Sequence, residues 1–394
     1  MYFNMENIVK ILLVVGSGNS VFIQNYAKWI KKNMSCTISV FQIDARGSSH
    51  SPYYDDIDCT AGDYPSTLSY RGIRRFIDLY KYYRLYNYLR GKKFDIIHCH
   101  WLTGHTVFCV ELLKSHCSVL IGTFWGGEFT QQYVFGSKYI YNKYLNKFLS
   151  RCDAVINSND IFEIIYKRFP SFNGKIYLGN LGASGLDNLK KLLKNSSKDA
   201  CKRYYGLPID KLSVQIGYSG KSLHRHLDII AELCKHPELK DKIHILNPMN
   251  RDQSSIYAQK VIQEIEKAGF THTTIVNRFL SDEEVSILRY STDIVLQLAE
   301  FDGFSRSILE SFCAKAIVIY GNWLNYENKL KINGLEGIPV DSIAEGVNTL
   351  IKVSSNPKDY EAKCTKNADN AFNENMWETC IVNWINAYQD LLKF

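Results

Sequence analysis

No stretch of this chain approaches the roughly 20 consecutive apolar residues of a membrane-spanning helix, so no transmembrane segment is expected. The N-terminal apolar run Ile8 to Val15 is short and interrupted by Lys10. It lacks the cleavage-site pattern of a secretory signal and reads as a first buried strand. Cys-x-x-Cys pairs are also absent. The 11 cysteines are dispersed at irregular spacing, which reads as reduced thiols in a cytoplasm. Nothing in the composition suggests a disordered or collagen-like chain: 46% hydrophobic and 22% charged residues are those of a globular protein. The formal charge of +7 is modest for 394 residues and does not argue for nucleic acid. It is compatible with an anionic small ligand or an anionic membrane surface.

What is present is an alternation of apolar runs and helical stretches, long enough for two or three domains. One stretch organises the rest: Asp302-Gly303-Phe304-Ser305-Arg306-Ser307-Ile308-Leu309-Glu310. It lies between the apolar runs Ile294 to Leu298 and Ala316 to Tyr320, with a helix expected over Ser307 to Cys313. Strand, polar loop, helix, strand is the pattern of a parallel sheet with its ligand at the loop. A glycine, two serine hydroxyls and an arginine stand beside a helix N-terminus, which favours an anion. Two carboxylates eight residues apart bracket the turn, which suits a ligand that also carries hydroxyls.

Other strand ends carry ligand-type loops. Ile11 to Val15 leads into Gly16-Ser17-Gly18 and a helix over Val21 to Lys32. The third glycine of the dinucleotide fingerprint is missing, so this is either a ligand contact or a tight turn. His98 and His100 end another strand, and His-x-His without a third ligand rarely makes a metal site. Thr123-Phe124-Trp125-Gly126-Gly127-Glu128 ends the next. An indole and a carboxylate around paired glycines suit a carbohydrate; packing alone is the other reading of Trp125. In the second half, Ser219-Gly220-Lys221-Ser222-Leu223-His224-Arg225-His226 joins a strand to a helix. Lys221 offers a point charge and Arg225 a planar fork for an anion. Only two residues separate Gly217 from Gly220, so it is not a P-loop. Ser281 and Glu284 form a capping-box pattern.

The segment Ala45 to Ser69 reads as a long polar loop, with Asp55, Asp56 and Asp58 as a solvated acidic group rather than a metal site. Residues 70–93 read as a helix in which eight Lys and Arg side chains interleave with tyrosines and aliphatics around one acid, Asp78. That composition suits an anionic membrane interface, or a surface helix packed on the sheet with a solvated basic face. A closing amphipathic helix is expected from Met376 to Leu392.

Taken together, these features resemble a retaining glycosyltransferase of the GT-B fold, of the bacterial surface-polysaccharide type, over nearly the whole chain. Asp302 and Glu310 stand at the two acidic positions of that family's Glu-x7-Glu motif, and Ser311 to Val318 is similar to its continuation. Asp95-Ile96-Ile97-His98-Cys99-His100 resembles the family's Asp-Val-Val-His-x-His strand, and residues 123–128 its His-Gly-x-Asp loop. The resemblance implies an α/β fold of two doubly wound, Rossmann-like domains facing a cleft. It gives an acceptor-side domain over 1–200, a nucleotide-sugar domain over 201–370 and a returning C-terminal helix over 371–394.

The resemblance implies sugar transfer from a nucleotide-diphosphate sugar, as co-substrate, to a glycan acceptor linked to polyprenyl diphosphate, with retention of configuration. Lys221 and Arg225 would hold the phosphates with the backbone of Phe304 to Arg306, Glu310 the ribose, and Asp302 the donor sugar. Gly16, Gly18, Gly220, Phe304, Ser305 and Arg306 would contact the donor. Trp125, Gly126, Glu128 and His100 would line the acceptor or sugar side. No metal and no further cofactor is expected, and the implied location is the cytoplasm, peripheral on the inner membrane face through 70–93. The chain departs from the family by aspartate at 302, one methylene shorter, and by Trp125 in place of the loop histidine. A nucleotide-sugar epimerase using His224 and His226, or a degenerate sugar-binding partner subunit, shares the architecture and stands as an alternative.

Overall fold

The computed structural model of the chain describes residues 8–16, 20–43, 51–59, 74–125, 128, 137–170, 172–249, 255–270 and 272–392. Two compact units are present: Met1–Ser184 with Trp377–Phe394, and Gly185–Met376. The division falls at Ser184 rather than near residue 200. The physical reason is local, because the helices Leu186–Asn195 and Lys198–Tyr204 pack on Asp282–Ser291 inside the second unit.

Unit 1 carries seven strands: β1 (Val9–Val15), β2 (Cys36–Gln42), β3 (Asp56–Cys59), β4 (Phe94–His100), β5 (Cys117–Thr123), β6 (Ala154–Asn157) and β7 (Lys175–Leu178). They pair in parallel in the order β3-β2-β1-β4-β5-β6-β7. Central strands of such a sheet are buried on both faces and read as continuous apolar runs rather than alternating ones. In β1 only Lys10 is exposed. Unit 2 carries β8 (Leu212–Ile216), β9 (Ile243–Pro248), β10 (Thr273–Val276), β11 (Ile294–Gln297), β12 (Ile317–Gly321) and β13 (Ile338–Val340). Their order is β10-β9-β8-β11-β12-β13, again all parallel. Both are doubly wound, Rossmann-like sheets.

The strand order reverses direction at β1/β4 in unit 1 and at β8/β11 in unit 2. At such a switch point the flanking connections leave on opposite faces, and a crevice opens at the C-terminal ends of the strands. Gly16 and Trp101 follow β1 and β4, and Gly217 and Leu298 follow β8 and β11. The ligand-type loops of the sequence therefore sit at the ligand edges of both sheets.

Two strands differ from the sequence reading. The segment expected as irregular loop contains β3, an edge strand with the polar sequence Asp-Ile-Asp-Cys. Its acids remain partly exposed, as expected, and are also ion-paired: Asp55 with Lys31 at 2.7 Å, Asp56 with Lys92 at 2.9 Å and Asp58 with Arg84 at 3.0 Å. The last two cations belong to the basic helix and its end, so acids distant in sequence neutralise part of that helix's charge. The helix spans Arg74–Leu89, and Leu79, Tyr83 and Tyr86 are exposed on it. The second unexpected strand, β13, is only three residues long and includes Pro339, as an edge strand permits.

The closing helix, Trp377–Leu392, belongs to unit 1 and packs against Val21–Asn33 and β7. Trp384 is fully buried and its indole N–H donates to Asn180 O at 2.9 Å. A hydrogen-bond chain ties this helix to the sheet. Thr123 Oγ1 donates to Ile156 O, so it accepts from His98 Nε2 at 2.8 Å. His98 Nδ1 then accepts from Tyr388 Oη at 2.7 Å, and Tyr388 Oη accepts from Tyr26 Oη at 2.7 Å. Burial pushes the His98 pKa well below its usual value, which keeps the ring neutral in this role. Among the described residues no helix is long and apolar enough to cross a membrane.

Candidate active site

The opening motif begins after β11. Its helix runs Arg306–Cys313, one residue earlier than expected, with Ser305 at the N-cap. Phe304 adopts a left-handed φ of 65°, a conformation bulky residues rarely hold without a compensating constraint. The constraint is Asp302. Its Oδ2 accepts from the Ser305 backbone N–H at 3.0 Å and from the Tyr326 hydroxyl in a short contact. Its Oδ1 accepts from the Tyr218 hydroxyl at 2.6 Å. Tyr218 follows β8 and Tyr326 follows β12, the two neighbours of β11. One carboxylate thus knits three adjacent loops at the switch point. Burial, reinforced by the Asp302 hydrogen bond, pushes the Tyr326 pKa far up and keeps that phenol a donor.

Glu310 takes different partners. Arg306 Nε donates to its Oε1 at 2.8 Å and Arg289 Nε to its Oε2 at 3.2 Å. Arg289 Nη1 also donates to Gln215 Oε1 at 2.9 Å, which fixes the guanidinium in the interior. The two carboxylates that bracket the turn are therefore held differently: Asp302 before the helix, Glu310 within it. The hydroxyls of Ser305 and Ser307 are buried beside the helix N-terminus with no protein partner.

The loop after β8 supplies the cations. Gly220 is buried and Lys221 exposed. Arg225 adopts φ 56° at the N-cap of His226–Leu233, and its Nε donates to Asp228 at 3.1 Å. His224 and His226 are buried beneath this loop, and His224 Nε2 lies 3.0 Å from Ser219 Oγ. Burial lowers their pKa values to about 4 and about 3, so both rings are neutral interior groups rather than accessible acids or bases. A recess of about 480 Å³ in unit 2 touches Leu212, Ile294 and Ile317, the first residues of β8, β11 and β12. It marks the opposite end of the strands from the ligand loops.

In unit 1, Gly16, His100, Trp125 and Glu128 gather at the ends of β1, β4 and β5. Their placement is uneven. Glu128 is 2% exposed, and its carboxylate accepts from Leu102 N–H at 3.1 Å and Trp125 N–H at 2.9 Å. It braces the two loops and does not face outward as a sugar contact would. His100 is 1% exposed and stacked 4.1 Å from His98, with burial lowering its pKa to about 3. Trp125 is half-buried and stacks on Trp101 at 6.3 Å and 16°. Gly18 and Gly126 lie outside the described residues.

Four site residues had no role in the sequence reading: Trp101, Tyr218, Arg289 and Tyr326. For Trp101 a signal existed, a bulky aromatic directly after a buried strand. The other three are defined by partners 84, 21 and 24 residues away.

Residues 17–177 match the model of Glycosyltransferase Family 4. No curated protein sequence matches the chain. Among solved structures, a glycosyltransferase from Rickettsia africae is similar with a TM-score of 0.70 at 15% identity, covering 98% of this chain and 99% of that one. Sucrose-phosphate synthase from Thermosynechococcus elongatus gives 0.69 at 14%, again covering 98% and 99%. Anabaena HepE in complex with UDP and glucose gives 0.58 at 12%, covering 97% and 100%. The chain has the GT-B architecture. The family match lies within unit 1, and the structural likenesses, all under 25% identical, show the fold.

Proposed function

We propose that the protein transfers a sugar from a nucleotide-diphosphate sugar to a glycan acceptor with retention at the anomeric carbon. The observation that carries this reading is the Asp302–Glu310 turn: two carboxylates with separate partners, beside a helix N-terminus and a cationic loop, at the switch point of one sheet. The chemistry must stabilise a leaving diphosphate and positive charge growing on the sugar ring. Lys221 and Arg225 take the diphosphate, with the backbone N–H groups of Phe304 and Arg306, either side of the Ser305 N–H that Asp302 holds, and the Ser305 and Ser307 hydroxyls completing the donor set. Glu310, oriented by Arg289 and Arg306, accepts two hydrogen bonds and keeps lone pairs for ribose hydroxyls. Asp302, oriented by Tyr218 and Tyr326, faces the transferred sugar and steadies the developing cation. UDP and glucose bound to HepE agree with a nucleotide sugar of this kind. The reading uses cations of the chain for the leaving group and requires no metal.

The acceptor assigned to this reaction is an oligosaccharide on polyprenyl diphosphate, in surface-polysaccharide synthesis at the cytoplasmic face of a membrane. Support comes from the helix Arg74–Leu89, where exposed Leu79, Tyr83 and Tyr86 precede exposed Arg90 and Lys93. Salt-sensitive flotation with anionic vesicles tests it, and no flotation at low salt refutes it.

The enzymatic claim is tested by screening nucleotide sugars for a raised thermal midpoint, since a ligand that binds only the native state stabilises it. The donor that does so is then offered with acceptors, and the product anomer is read by NMR. Inverted product, or donor epimerised without acceptor, overturns the reading. One observation favours a second reading, a sugar-binding partner without turnover: Asp302 already accepts three hydrogen bonds. Donor binding with no transfer across the acceptor panel would select it.

A further inference from the structure

We propose that Trp101 is the sugar platform of unit 1: the exposed part of its indole binds the apolar C–H face of an acceptor pyranose. Trp125 lies nearly parallel beside it, and Glu128 positions both. The inference rests on the glycosyltransferase reading and adds the residue that holds the acceptor ring.

Four independent features converge on Trp101. It directly follows β4, and β1/β4 is the switch point of the sheet, where a parallel α/β domain receives its ligand. Gly16, at the end of β1, borders the same crevice; a Cβ there would lie 3.7 Å from the Trp101 ring. Second, Trp101 holds a left-handed φ of 67°. Glycine is the residue at ease there, and a strained bulky residue at a strand end is a mark of function. Third, the conformation is over-determined by its surroundings. Trp101 N–H donates to Thr123 O at 3.0 Å, Thr103 N–H donates to Trp101 O at 2.8 Å, and Leu102 N–H donates to Glu128 at 3.1 Å.

Fourth, the aromatic surface is presented rather than buried. Trp101 remains 42% exposed with the Trp125 ring nearly parallel to it, centroids 6.3 Å apart. Phe22, 36% exposed, meets Trp125 edge-on at 5.8 Å and extends the wall. An indole already packed beside a second indole loses little side-chain freedom when a ligand arrives, because packing has already fixed it. Its electron-rich face attracts the polarised C–H groups on the flat side of a pyranose. The carboxylate of Glu128, spent on backbone N–H groups of both tryptophan loops, makes it a positioning residue rather than a sugar ligand.

The test uses the full chain and a panel of methyl α- and β-pyranosides of glucose, galactose and mannose. Saturable quenching of tryptophan fluorescence, with saturation-transfer NMR on the sugar C–H protons, reads binding. Wild type is expected to bind at least one member. Trp101→Ala is expected to weaken that binding about tenfold or more, and Trp101→Phe to restore most of it. Nucleotide-sugar binding, assigned to unit 2, is read as the thermal shift of the same samples and is expected to be unchanged, which also reports folding. Equal affinity in Trp101→Ala and wild type overturns the platform, as does the absence of binding by every pyranoside. Absence of any nucleotide-sugar shift in wild type overturns instead the transferase reading beneath it.

Discussion

The Asp302 junction gives the sharpest stability prediction. Asp302 is 7% exposed and Tyr326 2% exposed, so neither group regains water when its partner is removed. A hydrogen bond to a buried charged group contributes about 1.5–3 kcal/mol. Tyr326→Phe removes one of three and is expected to destabilise unit 2 by about that amount. Asp302→Asn is expected to cost about 3 kcal/mol. The amide loses the charge and keeps one acceptor oxygen for three donors; its N–H₂ group finds an acceptor only where a phenol turns its own O–H away, and none at the Ser305 backbone N–H. Because the two residues share one bond, the double variant is expected to cost at least about 1 kcal/mol less than the sum. Urea unfolding of the four proteins, followed by hydrogen exchange at the β8, β11 and β12 amides, measures this within the unit concerned. Additivity within about 0.5 kcal/mol would refute the junction.

Three further outcomes follow from particular residues. Glycine ordinarily costs about 0.5–1 kcal/mol relative to alanine. At Trp101 the order is expected to reverse, with Trp101→Gly more stable than Trp101→Ala by about 1 kcal/mol in thermal unfolding, because the backbone is left-handed. His224 and His226 are buried neutral with pKa values lowered to about 4 and about 3. The unfolded chain binds protons below about pH 6.5 where the folded chain does not, so stability present at pH 7 is lost as pH falls from about 6.5 toward 4. The loss is roughly 1–2 kcal/mol per ring at pH 5, and a flat urea midpoint between pH 7 and 5 contradicts it. Trp384→Ala opens a cavity in unit 1, where the side chain is fully buried. It is expected to cost about 3–5 kcal/mol in urea unfolding and to increase proteolysis at the closing helix.

Much of the architecture was legible because central strands of parallel sheets are apolar throughout; β1, β4, β5, β8 and β11 all stood out as runs. Edge strands have no such signature. Asp56–Cys59 is polar because only one side of it pairs, and Ile338–Val340 is too short to show a period. The loops at strand ends were legible from their glycines, serines and charges. Their partnerships were not. Asp302 meets Tyr218 across 84 residues and Glu310 meets Arg289 across 21, contacts made only once the sheet has formed. The fate of the cations was hidden for the same reason: Arg84 and Lys92 looked uncompensated until β3 delivered Asp58 and Asp56. The left-handed backbones of Trp101, Arg225 and Phe304 left no trace either, since sequence announces such positions only when glycine fills them. Glu128 shows the converse error, a carboxylate of the right type in the right loop that serves the backbone.

The central claim is that unit 2 binds a nucleotide-diphosphate sugar at this turn and drives its departure with the cations after β8. The most direct measurement is the initial rate of nucleotide release from the stabilising donor, with acceptor present, in wild type, Lys221→Met and Arg225→Met. Each cation is asked to supply a few kcal/mol in the transition state, so turnover is expected to fall about 100-fold or more in each variant. Wild-type turnover in both variants would contradict the account.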